Sequence, residues 1–235
     1  MPPRLTPESM ASNLSPRRGW EYERILQQRY SRPVGLEENI VRDFINFNRY
    51  LDELLVDVYP QPEDEGHTKM AQEVMQKWIP NLIGCRSVLD VGCGEAFLQS
   101  AFEAIGIDYT GVTLGKDCEV AHGLGRNALC QDFSFLDFQD ASFDLVFSRH
   151  SLEHSPFPLL SLMEWHRIAK SWLCLILPTP KYWLYGGRNH YSVMAREQAE
   201  FLLERAGWCV VWTDFSDIRE FRYMAAKRER RKEWK

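Results

Sequence analysis

From Leu36 to Val58, the apolar residues Ile40, Phe44, Phe47, Leu51, Leu54 and Val58 recur at steps of three and four. That spacing gathers them on one face of an amphipathic helix. The run Tyr59-Pro60-Gln61-Pro62 ends it, because proline lacks the amide a helix interior needs. A second helix, about His67 to Ile79, shows Met70, Val74 and Trp78 on one face and stops at Pro80. Then the period changes. Ser87-Val88-Leu89-Asp90-Val91 is a short apolar run with one acid near its end, the pattern of a strand buried on both faces. Gly92 and Gly94 turn the chain, and Phe97, Leu98, Ala101, Phe102 and Ile105 predict a helix that stops at Gly106.

The alternation continues to the end of the chain. Strands are expected at Tyr109–Thr113, Asn127–Cys130, Phe143–Ser148, Trp172–Leu177, Trp208–Trp212 and Glu220–Ala226. Helices are expected at Leu159–Ala169, entered through Pro156 and Pro158, and at Arg196–Ala206, closed by Gly207. Strands alternating with helices imply an α/β fold with a mostly parallel sheet and right-handed crossovers. The organisation reads as a mobile tail over residues 1–19, rich in Pro, Ser and Arg, and a helical extension over 20–80. The sheet domain covers 81–226, and a basic tail 227–235. The extension either packs on the flank of the sheet or supplies part of a lid over its binding edge.

Hydrophobic content of 45% supports a sizeable core. A net charge of −5 gives no general attraction to nucleic acid or anionic membrane. The apolar run Trp172–Leu177 is too short to span a bilayer, and the N-terminal stretch lacks the apolar core of a secretory signal. A cytoplasmic protein, monomer or homodimer, is expected. The six cysteines have no Cys-x-x-Cys spacing and read as buried free thiols in a reducing compartment. The cluster Lys227–Lys232 either touches RNA phosphates or an acidic partner, or is a solvated tail; with no interleaved aromatics beyond Trp234 the solvated tail is favoured.

The glycine turn is where chemistry enters. A strand, a glycine turn and a helix set bare backbone at the carboxyl edge of a parallel sheet, where open α/β sheets bind ligands. A side chain at Gly92 or Gly94 would hold a ligand away from the main chain. The dinucleotide fingerprint needs a third glycine where Phe97 stands, which makes pyrophosphate the weaker reading. Asp90-Val91-Gly92-Cys93-Gly94-Glu95-Ala96 resembles motif I of class I S-adenosylmethionine-dependent methyltransferases, with Ala96 in place of the last glycine. The segment Asp140–Ser148 resembles that family's fourth strand, and Ser148-Arg-His-Ser-Leu-Glu-His154 resembles the loop beyond it.

The resemblance implies a Rossmann-like, doubly wound, seven-stranded sheet, mostly parallel with an antiparallel last strand. It implies S-adenosyl-L-methionine as cofactor and S-adenosyl-L-homocysteine as product. By the same resemblance Gly92 and Gly94 lie under the methionine part, organised by Asp90. Thr113 and Leu114 stand where the family usually has an acid for the ribose, Asp132 and Phe133 resemble the adenine site, and Ser148 belongs to the cofactor edge. Beyond the strand ends, His150 and His190 are candidate bases because imidazole titrates near neutrality. Glu153, His154, Tyr185 and Tyr191 are candidate acceptor contacts, and Tyr182 and Trp183 share that aromatic stretch. The spacing of the histidines and Glu153 carries no metal signature, and no metal is expected. The expected activity is O- or N-methylation of a small polar metabolite such as a sugar or nucleotide-sugar. The rivals are an RNA or protein methyltransferase and a catalytically silent cofactor-binding subunit.

Overall fold

The computed structural model describes residues 36–60, 64–183 and 187–228. The chain divides into two compact units, Met1–Leu55 and Val56–Lys235. In the first, α1 (Leu36–Leu54) realises the helix expected from the three- and four-residue spacing; the 3-10 turn after it, Leu55–Asp57, crosses the boundary between the units. The expected mobile tail, residues 20–35 of the extension and the tail beyond Arg228 lie outside the described residues.

The second unit opens with α2 (Glu65–Trp78), whose Ala71, Val74, Met75 and Trp78 are buried at helical spacing. A 3-10 turn, Ile79–Asn81, carries Pro80 and ends it. Next come β1 (Ser87–Val91), α3 (Gln99–Ala104), β2 (Asp108–Thr113), α4 (Lys116–Gly123), β3 (Ala128–Cys130) and β4 (Phe143–Arg149). They are followed by α5 (Pro158–Ile168), β5 (Ala169–Pro178), α6 (Pro180–Trp183), α7 (Arg196–Ala206), β6 (Trp208–Asp214) and β7 (Glu220–Lys227). The seven strands form one sheet in the order β3-β2-β1-β4-β5-β7-β6. β7 runs antiparallel to both of its neighbours, and the other pairs are parallel.

Alternation along each strand splits the core into two layers. Val88, Leu145, Phe147, Cys174 and Ile176 face α2 and Phe102 on one side. Leu89, Val91, Val146, Leu173, Leu175 and Leu177 face α5 and α7 on the other, where Trp165 and Leu203 are fully buried. Side chains two apart share a face, so a near-continuous apolar run serves both layers at once. The short βα turns all open at one edge, the carboxyl ends of β1, β2 and β4.

Three expectations are corrected. The helix after motif I begins at Gln99 rather than Phe97, because the chain turns through Ala96 at φ 58° before it can enter helical geometry. The periodicity gives no sign of α4: its only buried apolar residues are Cys118 and Ala121, too few for a stripe. The cysteines are not all buried free thiols, since Cys118 and Cys130 are joined in a disulfide and Cys85 and Cys209 are half-buried. Parallel pairing sets Cys130 beside Thr113 at the end of β2, and α4, which comes directly after that strand, lays Cys118 against it. Among the described residues, no helix is long and apolar enough to cross a membrane.

Candidate active site

The floor of the site is the turn after β1. Gly92 and Cys93 both donate their amides to Val112 O, at 2.9 and 3.1 Å, which pins the loop over the end of β2. Gly92 and Gly94 are left-handed, with φ of 71° and 55°, a conformation that costs other residues about 1–2 kcal/mol. A Cβ on Gly92 would also overlap Ser151 Oγ and lie 2.6 Å from Ser151 Cβ. Ser151 is held there by its hydroxyl, which donates to Val91 O at 2.9 Å. The close approach that demands glycine at 92 therefore includes the protein's own β4 loop. Ala96 sits fully buried in the same left-handed region; replacing the family's last glycine costs backbone conformation rather than volume.

A cavity opens over this floor. From the β1 side it is lined by Gly92 and Gly94, and from the β2 end by Thr113 and Leu114. Asp117 in the first turn of α4 adds a buried carboxyl to that wall, and Gln131 and Phe133 line it beyond β3. His150, Ser151 and His154 come from the segment after β4, Asn189 from the loop after α6, and Val58 and Tyr59 from the stretch before α2.

Several expected residues sit elsewhere. Asp90 lies beneath the floor, buried, where its Oδ2 accepts from the Tyr109 hydroxyl at 2.8 Å. Burial pushes its carboxyl up to about 7, with the Tyr109 bond pulling the other way. Asp132 turns back on its own loop and accepts from Ser134 N at 2.7 Å, leaving Gln131 and Phe133 on the wall. Ser148 is fully buried within β4, between Val91 and Leu175, and does not line the cavity. Tyr185 lies outside the described residues, as do the side chains of Tyr182 and Trp183. Tyr191 is directed to Asp57, to which its hydroxyl donates at 2.8 Å.

The wall after β4 carries the titratable groups. His150 adopts φ 49°, a strained setting of the kind that clusters at functional sites. Its Nε2 lies 3.0 Å from Oε1 of Glu220, at the start of β7. Glu220 is fully buried yet takes Arg149 at 2.6 Å and Arg222 at 3.1 Å. Burial would raise its carboxyl, but His150 and Arg149 together hold it down to about 2. His154 is pushed down to about 4 by burial and by the neighbouring His190, so it is neutral at neutral pH. Its Nδ1 lies 3.2 Å from Asn189 O, and its ring centroid is 4.9 Å from that of His190. Glu153 is buried with no hydrogen bond to either carboxylate oxygen from any described residue, and burial pushes it up to about 8.

Residues 89–172, from β1 into β5, match the family described as a methyltransferase domain. By this match the segment from β1 into β5 is a methyltransferase domain. Curated relatives agree. A ubiquinone biosynthesis O-methyltransferase of Coxiella burnetii is 30% identical over 129 residues, 52% of this chain and 49% of that protein. The chloroplastic tocopherol O-methyltransferase of Arabidopsis thaliana is 30% identical over 160 residues, 60% of this chain and 44% of that protein. The chain thus spans about half the length of the curated relatives it matches. Among solved structures, magnesium protoporphyrin IX methyltransferase from Synechocystis, with bound S-adenosylhomocysteine, superposes with a TM-score of 0.56. It is 17% identical over 81% of this chain and 99% of that one. The [4+2]-cyclase SpnF superposes at 0.58, with 16% identity over 72% of this chain and 86% of that one. These similarities concern the fold, which plainly hosts more than one reaction.

The polar positions around the site that sequence reasoning misses include Asp117, Gln131, Asn189 and Glu220, and the apolar ones include Val58 and Tyr59. Asp117 has a usable signal: it comes four residues after the end of β2, where a helix start brings a side chain back to the strand tip. Asn189 and Glu220 have none, because only the assembled sheet brings them to the segment after β4.

Proposed function

We propose that this chain is an S-adenosylmethionine-dependent O-methyltransferase acting on a small molecule. One observation carries the reading: the glycine floor of the matched segment opens into a cavity whose walls suit each part of that cofactor. Bare backbone at Gly92 and Gly94 admits the methionine end. Thr113 supplies one hydroxyl for the ribose, and Asp117, on the same wall, supplies the carboxylate acceptor that Thr113 lacks. Gln131 and Phe133 offer a polar edge and an apolar face for adenine. When bound, the cofactor supplies a methyl group activated by a sulfonium.

The chain's own work is to hold the acceptor hydroxyl in line with that methyl group, a positioning effect of roughly 7–11 kcal/mol. It must also receive the hydroxyl proton. We assign that proton to His150, which lines the cavity and is backed by the Glu220 carboxylate; His190 stands behind His154 and is the less direct candidate. With the cofactor bound, methyl transfer to the acceptor oxygen would release the hydroxyl proton, and the His150 imidazole would take it. Val58 and Tyr59 give the cavity an apolar wall not taken by the cofactor, and both quoted relatives are named as O-methyltransferases. These support an acceptor with an apolar body and a hydroxyl, and nothing supports the sugar or nucleotide-sugar. The test is transfer of labelled methyl to a panel of hydroxylated ring compounds and, alongside, to sugars, RNA and protein. Label in the ring compounds is expected. Label confined to sugars, RNA or protein would overturn the acceptor assignment.

A further inference from the structure

We propose that Glu153, His154 and His190 form a binding site for a divalent first-row transition-metal cation at the edge of the cavity. One ligand atom from each lies within 4.8 Å of the others. Two further observations point to a ligand. The Glu153 carboxylate is 1% exposed and takes no hydrogen bond from any described residue, and a buried carboxylate left so is costly unless a proton or cation joins it. Arg149 acts on Glu153 only through space, and its guanidinium is engaged with Glu220 at 2.6 Å. Secondly, His154 is oriented as metal-bound imidazoles are. The Asn189 carbonyl can only accept, so Nδ1 carries the proton and Nε2 keeps its lone pair. That Nε2 lies 3.9 Å from Glu153 Oε1.

The distances fit. Two bonds of about 2.1 Å reach across up to about 4.2 Å, so one ion can join His154 to Glu153, and His190 needs only a small side-chain shift. Two imidazoles and a carboxylate suit zinc, iron, cobalt or manganese, whereas magnesium and calcium take oxygen donors. Three protein ligands leave a coordination position open, and His154 lines the cavity. Use of that position to hold an acceptor hydroxyl rests on the O-methylation reading; binding of the ion does not. A second ligand-type cluster, Cys118, His122 and Cys130, has its two sulfurs in the disulfide and must be distinguished experimentally.

The test is a titration of the chelator-stripped full chain with Co2+, followed optically, with Zn2+ as competitor. One equivalent is expected to give visible d–d bands without the intense near-ultraviolet absorption of thiolate coordination. Glu153→Gln and His190→Ala should each weaken binding about 10–100-fold or more, and His122→Ala should leave it unchanged. Circular dichroism melting checks that the buried Glu153 variant folds, and the loop variant at His190 stands if it does not. No stoichiometric Co2+ binding, binding indifferent to both variants, or a thiolate band lost in His122→Ala would each overturn the site. S-adenosylmethionine binding to the stripped protein is scored separately, so loss of the metal site and loss of the methyl-transfer reading are told apart.

Discussion

The two walls of the cavity are built differently. The wall under Gly92, Gly94, Thr113 and Asp117 comes from a contiguous stretch, β1 through the start of α4, and its geometry is fixed by local turns and parallel pairing. The opposite wall is assembled from the segment after β4, Asn189 after α6, Tyr59 before α2 and, behind it, Glu220 on β7. The first wall is mostly backbone, glycine and short polar groups. The second gathers three histidines and two buried glutamates within reach of one another. A floor that accepts one ligand can be specified by a short motif, whereas a wall that handles protons or ions needs charges balanced from distant parts of the chain.

Substitutions separate the two. The largest effect is expected at His150 on the assembled wall: His150→Gln should cut kcat about 10²–10⁴-fold while calorimetric affinity for S-adenosylmethionine stays unchanged. An equal loss of cofactor affinity would blur the division. On the contiguous wall, Gly92→Ala forces a side chain into left-handed backbone and into Ser151. It should destabilise the fold by about 2–5 kcal/mol in urea denaturation and abolish cofactor binding.

Next comes the pH dependence set by Asp90. Its carboxyl is raised to about 7 in the fold from an ordinary value of 3.8, so the folded state binds the proton more tightly than the unfolded state. Stability is therefore greatest below about pH 4 as far as this group is concerned, and falls as pH rises toward 7. The loss is on the order of a few kcal/mol. Asp90→Asn should flatten the fall between pH 4 and 7 in denaturation series; an unchanged slope would assign the dependence to other groups. The smallest effect belongs to Ala96. Relieving its left-handed Cβ gains about 1–2 kcal/mol, while the added freedom of glycine in the unfolded chain takes back about 0.4–1. Ala96→Gly should raise stability by about 1 kcal/mol in denaturant melts, with cofactor affinity unchanged.

Much of the contiguous wall is legible in the chain, since strand, glycine turn and helix succeed one another within twenty residues. β1, β4, β5 and β7 are equally plain, because buried strands are apolar runs. The illegible parts are instructive. Ala96 reads as harmless because sequence conveys its size and not its φ. Asp90 reads as an organiser of the glycine loop, and what the sequence hides is its partner: alternation along β1 points it into the layer that holds Phe102, onto the Tyr109 hydroxyl. α4 lacks a hydrophobic stripe, so Asp117 is legible only by counting from the end of β2 and not from the helix that carries it. Glu153, His154 and His190 have no telling spacing, since two lie next to each other and the third arrives 36 residues later by way of β5.

Calorimetric titration of S-adenosylmethionine into the wild-type protein bears most directly on the glycine-floored cavity as a cofactor site. One site per chain is predicted, competed by S-adenosylhomocysteine and absent from Gly92→Ala. A folded wild-type protein that took up neither compound, or that bound a nicotinamide dinucleotide in their place, would contradict it.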